Sequence, residues 1–203
     1  MASKRPAYLA HLSLDKRLAP LLALDKPVIL APSEDVWLNL TGAIMSQQLS
    51  TRVASVIRGR FVDLYGGKPE PLRVLDTPPE TLRAIGLSGA KTGYVQNIAR
   101  FALSEGMGFG QLQAMTDDEV ISYLTQIKGV GRWTVEMILM FTLGRPDVFA
   151  ADDLGLQQAV AAIYRLKMED KKAFREKMLR ISAKWSPYRT YACMHLWRHK
   201  DGK

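Results

Sequence analysis

LTQIKGVGRWTVEMILMFTLGRPDVFAADDLGLQ, residues Leu124 to Gln157, is the stretch whose reading decides the fold. Apolar residues at Val120, Ile121 and Leu124 lead into Ile127-Lys128-Gly129-Val130-Gly131, and helical periodicity resumes at Trp133. This pattern predicts two short helices joined by a glycine turn. Two glycines around one apolar residue suit a tight turn with free main-chain N–H groups, because glycine accepts positive φ and puts no side chain in a ligand's way. Free amides at a helix N-terminus bind phosphate. The next helix, Arg132 to Leu143, is apolar on most faces (Val135, Met137, Ile138, Leu139, Met140, Phe141), so burial should seat the turn rigidly on the core. Beyond it Asp152-Asp153 heads another helical segment. The whole reads as a phosphate clamp followed by a carboxylate.

Upstream, Thr116-Asp117-Asp118-Glu119 has capping-box spacing, so the first hairpin helix starts there. Gly86-Leu87-Ser88 reads as a stop and a new cap before a helix from Ala90 to Leu103, and Gly106, Gly108 and Gly110 make the loop that follows. Farther back, Ser33 is expected to cap a helix from Glu34 that carries Trp37, Leu38, Leu40, Ile44 and Met45. Ser50 should cap Thr51 to Tyr65, with Gly66-Gly67 as its stop. Lys68 to Thr77 reads as a connector, and Pro78-Pro79-Glu80 opens a short helix through Ile85. A leucine-rich helix from Pro6 to Leu24 is broken at Pro20, and Lys171 to Lys184 and Pro187 to Trp197 give two more helices. With no alternating strand pattern, repeat or low-complexity tract, the fold is expected to be all-α.

The 203 residues suffice for one substantial core or two small lobes sharing a cleft. A hydrophobic share of 47% with 24% charged residues reads as globular rather than disordered, and the net charge of +8 favours a polyanionic partner without requiring one. A single cysteine, Cys193, excludes an internal disulfide, a CxxC zinc site and a cysteine-ligated iron–sulfur cluster. No apolar run approaches the roughly 20 residues of a membrane span. MASKRPAYLAHLS lacks a signal-peptide core, so a soluble, cytoplasmic protein is expected.

Four motifs in order, IMSQQLS (44–50), IGLSGAKTGYVQNIA (85–99), IKGVGRWT (127–134) and VFAADD (148–153), resemble the helix-hairpin-helix DNA glycosylase superfamily. Within it they are most similar to the 3-methyladenine DNA glycosylase II branch. The likeness covers nearly the whole chain from about Ser33. It implies a two-lobed helical bundle with a DNA-binding cleft between the lobes. One lobe would be residues 33–149, with the hairpin at about 117–143, and the other residues 1–32 plus 150–203. Too few residues precede Ser33 for the N-terminal β-domain of some members. The implied activity is that of a monofunctional glycosylase of base excision repair. It would remove alkylated purines such as 3-methyladenine and 7-methylguanine from double-stranded DNA as a monomer with no required cofactor. A hairpin protein that binds DNA without catalysis is the competing reading, and so is a glycosylase for deaminated or oxidised bases.

The resemblance assigns Asp153 as the catalytic carboxylate, although an Asp-Asp pair also suits a cap on a helix at Leu154; Asp152 is left as the cap or a support. Gly129, Val130 and Gly131 would hold a DNA phosphate through main-chain N–H groups, with Lys128 and Arg132 adding charge. The carbonyls of Thr125, Ile127 and Val130 would ligate a monovalent cation such as sodium. Trp133 stands where strand-cutting members carry a Schiff-base lysine, which implies no lyase step. Its indole would stack on an everted base, as would Trp197, with a cation–π attraction of roughly 1–2 kcal/mol for a cationic base. A core role for Trp133 is the plain alternative. Met137 and Arg198 replace aromatics of the best-known members, which leaves the base range open, and Met137 is counted in the base pocket.

Gln48 is the candidate plug for the hole an everted nucleotide leaves, or else a solvated loop glutamine. Ser88, Gly89 and Lys91 open a helix suited to a second phosphate, unless Lys91 is only a solvated charge. Arg189, His195, Arg198, His199 and Lys200 read as an exposed basic face, and His195 and His199 as structural rather than a metal pair.

Overall fold

The computed structural model describes residues 6–202, and among them every regular element is helical. The chain divides into two compact units, Pro32–Leu143 and a second drawn from Met1–Ala31 and Gly144–Lys203. The N-terminal segment supplies α1 (Ala7–Leu12) and α2 (Ala19–Leu24). The helix breaks before Pro20 rather than at it, because Pro20 sits in the first turn of α2, where its missing N–H has no helical partner to lose.

The unit Pro32–Leu143 begins with α3 (Val36–Ser46). Its cap is Asp35, which accepts the Leu38 N–H at 3.3 Å, and not Ser33, whose Oγ accepts the Asn39 side-chain amide at 2.9 Å. Ser50 caps α4 (Thr51–Leu64) as the sequence predicts. The segment read as a connector contains α5 (Pro71–Asp76), again with proline in the first turn, and α6 (Pro79–Ala84) follows. Ser88 caps α7 (Gly89–Ser104), and a one-turn α8 (Phe109–Gln113) forms inside the glycine loop. The capping box of α9 (Asp117–Leu124) is complete. Thr116 Oγ1 accepts the Glu119 N–H at 3.3 Å, and the Glu119 carboxylate accepts the Thr116 N–H at 2.7 Å. α10 (Arg132–Met137) runs on into a π-helical turn, Ile138–Thr142. Met45, Ile57, Phe61, Tyr65, Val74, Leu82, Leu87, Val95 and Ala99 form a core between α3 and α7. Burying side chains the size of Phe61 or Leu82 contributes roughly 1.5–3 kcal/mol each.

In the other unit α11 (Leu154–Tyr164) packs on α13 (Arg189–Lys200), with α12 (Lys171–Ser182) and a 3₁₀ turn, Ala183–Trp185, between them. Its two chain segments meet at Trp185, which is fully buried. The indole N–H donates to Asp15 Oδ2 at 3.1 Å, the Tyr164 hydroxyl donates to the same oxygen at 2.6 Å, and Phe149 meets the indole edge-on. Tyr8 stacks on Tyr191 with ring centroids 4.1 Å apart. Residues 144–149, placed by the sequence in the central lobe, belong here. Arg189 binds Asp147 through its guanidinium and main-chain N–H, and Val148 N–H donates to Thr190 Oγ1 at 3.0 Å. Among the described residues no helix is long and apolar enough to cross a membrane.

Candidate functional site

The hairpin turn is shaped by α7. Gly129 adopts φ 105, and the Tyr94 ring lies where a side chain would begin, since a Cβ there would fall 2.2 Å from Tyr94 Cγ. Only glycine satisfies both conditions. One turn farther along α7, the Asn97 amide donates to the Lys128 carbonyl at 3.1 Å. Inside the turn Val130 N–H donates to the Ile127 carbonyl at 2.9 Å. That bond removes the Val130 amide from the predicted phosphate donors, because closing a four-residue turn uses it, and leaves Gly129 and Gly131 as the predicted donors. α10 starts at Gly131 without a side-chain cap. Lys128 is exposed, whereas Arg132 pairs through Nε with the buried Glu136 at 3.0 Å.

Trp133 is 40% exposed, which removes the core-tryptophan alternative. Together with Met137 and Gln48 it lines a cavity of about 490 Å³, completed by Ala43, Ser46, Gln47 and Leu49. The predicted pocket residues of α10 and the predicted plug thus come together in a space of the size that small ligands occupy, roughly 300–1,000 Å³. Gln48 is exposed and has φ 59, left-handed for a residue with a side chain. The Gln47 side-chain amide donates to Thr134 Oγ1 at 3.1 Å.

Lys91 departs from both of its sequence readings. Its ammonium donates to the carbonyls of Met45 at 3.0 Å and Gln47 at 2.6 Å, so it is neither a solvated charge nor oriented as a phosphate ligand. Partial burial lowers its pKa below 10.5. Ser88 Oγ accepts the Lys91 N–H at 3.3 Å, and Gly89 is exposed at the first position of α7.

Asp153 lies in the other unit and takes the capping place weighed for it. Its Oδ1 accepts the Leu156 N–H at 2.8 Å, which caps α11, and also the Trp197 Nε1–H at 2.9 Å. Asp152, expected as the cap or a support, is exposed and pairs with Arg175 at 3.1 Å. Trp197 reaches the carboxylate across Gly155, where a Cβ would fall 3.0 Å from Asp153 Oδ1 and 3.2 Å from Trp197 Cδ1. Two N–H donors converging on one oxygen fix the orientation of the carboxylate. Gly155 escaped the sequence reading, yet a glycine inside a helical pattern, where alanine is the better helix former, was the available signal.

The predicted basic face on α13 is only partly a face. Arg189 is held by Asp147, Arg198 donates to the Lys26 carbonyl at 2.7 Å, and His199 and Lys200 are exposed. His195 is fully buried, its Nδ1 2.6 Å from Asp25 Oδ2. Burial lowers its pKa, against the opposing pull of Asp25.

Residues 41–184 match the family described as HhH-GPD superfamily base excision DNA repair protein. The chain is 34% identical over 186 residues to DNA-3-methyladenine glycosylase 1 of Schizosaccharomyces pombe, covering 90% of this chain and 80% of that protein. It is 26% identical over 168 residues to DNA-3-methyladenine glycosylase 2 of Escherichia coli, covering 76% of this chain and 54% of that protein's length. The solved structure of an S. pombe 3-methyladenine DNA glycosylase in complex with abasic DNA matches it with a TM-score of 0.85 at 32% identity over 97% of each chain. A family match over most of the length, joined to the braced glycine hairpin and the capped aspartate, shows that the chain belongs to the helix-hairpin-helix superfamily of base excision DNA repair proteins.

Proposed function

We propose that this protein is a monofunctional DNA-3-methyladenine glycosylase that hydrolyses the N-glycosidic bond of alkylated purines, such as 3-methyladenine and 7-methylguanine, in double-stranded DNA. The observation that carries the reading is Asp153, held by the Leu156 amide and the Trp197 indole on a single carboxylate oxygen. Breaking the bond to C1′ leaves positive charge on the sugar. A fixed carboxylate stabilises that charge without reorganising, and it orients or deprotonates the attacking water. A cationic alkylated base is already a good leaving group, so the reaction needs little acid catalysis. Names of relatives such as DNA-3-methyladenine glycosylase 1 support this substrate class.

The positions of the other residues support the rest of this reading. Gly129 and Gly131 offer amides to a backbone phosphate and Lys128 adds charge, contacts that carry no sequence information. The everted base enters the cavity lined by Trp133 and Met137, and Gln48 occupies the gap in the stack. Trp133 has no amine to form a Schiff base, which supports hydrolysis without strand cleavage. The carbonyls of Thr125, Ile127 and Val130 are the oxygens that would hold a monovalent cation, and the Ile127 carbonyl also accepts the Val130 N–H at 2.9 Å. One chain carries both the hairpin and the carboxylate, so the protein acts as a monomer, inside the cell where its DNA substrate lies.

The test is release of bases from dimethyl sulfate-treated duplex DNA. Wild type should release 3-methyladenine and leave the strand intact, and Asp153→Asn, which keeps a capping oxygen, should lose at least about a hundred-fold in rate. Tight binding by wild type without release would replace this reading with that of a non-catalytic binder. Strand cleavage accompanying release would refute monofunctionality.

A further inference from the structure

After α3 the chain turns over Gln47 to Ser50 before entering α4. At its apex Gln48 holds φ 59, a conformation disfavoured for any residue with a Cβ and kept only where neighbours over-determine it. Two contacts do so. Gln47 is tied through its side chain to Thr134 on α10, and Lys91 donates to the Gln47 carbonyl at 2.6 Å and to the Met45 carbonyl at 3.0 Å. The Met45 carbonyl lies in the last turn of α3, among the groups that the helix itself leaves unsatisfied. A cation at that end also complements the helix dipole.

Lys91, Tyr94 and Asn97 follow one another at i, i+3 and i+6 and so share a stripe of α7. The first holds the Gln48 turn, and the other two hold the glycine hairpin at Gly129 and Lys128. One rigid helix therefore fixes both turns that the proposed reaction brings to DNA.

We infer that Lys91 is a positioning residue that sets the Gln48 turn for insertion into the duplex, an inference that rests on the reading of this chain as a base-everting glycosylase. Two of the three ammonium hydrogens are committed to main-chain carbonyls, so its charge organises protein rather than DNA.

Lys91→Met and Lys91→Arg in the full chain test this against a phosphate contact. The probe is a duplex with a tetrahydrofuran abasic analogue opposite 2-aminopurine, whose fluorescence reports insertion into the stack. Lys91→Met should blunt the fluorescence response at saturating protein, and Lys91→Arg, which keeps donors and charge, should restore most of it. The salt slope of duplex binding should stay at the wild-type value, because a fall of about one would identify a lost phosphate contact and overturn the inference. On methylated DNA, Lys91→Met should lose about ten-fold more rate on duplex than on single strands, which have no stack to fill. Equal losses on the two substrates, or an unaltered fluorescence response, would overturn it as well. Should Lys91→Met fail to fold, Lys91→Gln, too short to span both carbonyls, takes its place. If wild type releases no base from either substrate, the glycosylase reading falls, while fluorescence and salt slope still decide the role of Lys91.

Discussion

At the residue scale the site depends on two glycines that give up their side-chain space to a neighbour's ring. Gly129 yields to Tyr94, and Gly155 lets the Trp197 indole cross the first turn of α11. Gly129→Ala adds a Cβ inside the Tyr94 ring at a positive φ, so a loss of about 1–3 kcal/mol is expected from overpacking, with strain in addition, and urea unfolding measures it. Trp197→Phe separates stacking from hydrogen bonding. It keeps an aromatic face but removes the donor to Asp153, so base release should slow about ten-fold while stability falls by only about 1 kcal/mol. The motif around Gly129 was legible because a Gly-Val-Gly turn between helical patterns admits few readings. The hydrogen bond from Trp197 to Asp153 was not, since it spans 44 positions of sequence and follows no local periodicity.

At the scale of elements, the side-chain caps that the sequence identified correctly were Ser50, Ser88 and Thr116. α5 was missed because its prolines read as breakers, although Pro71 occupies the first turn, where proline is favourable. The cap of α3 was misplaced by two residues because Ser33, Glu34 and Asp35 offer competing polar side chains, and only the backbone shows which oxygen meets the first-turn amide. The Gln48 turn sharpens this into a prediction. Glycine relieves a left-handed residue by about 1 kcal/mol, so Gln48→Gly should melt at or above the wild-type temperature while losing base release from duplex DNA. Thermal melting alongside the release assay reads both effects, and a variant that lost stability and kept activity would contradict the role given to this turn.

For the whole molecule, the all-helical class was within reach of the sequence, whereas the boundary near residue 144 was not, because it is set by the Asp147–Arg189 and Val148–Thr190 contacts. The His195–Asp25 pair was likewise hidden, and it has a consequence for pH. Burial holds the His195 pKa below 6.5, so the unfolded chain takes up this proton first as the pH falls. Its contribution to stability is therefore level above pH 6.5 and declines below it, down to the folded-state pKa. His195→Gln should flatten that part of a plot of melting temperature against pH.

The unit that holds Asp153 closes around Trp185 only when α1 and α2, near the beginning of the chain, meet α11 and α13, near its end. On the ribosome the hairpin unit can therefore complete its core while the carboxylate's surroundings still lack the final helix. A nascent polypeptide would carry the folded glycine hairpin before the surroundings of Asp153 exist, and completes them only once synthesis has run through α13.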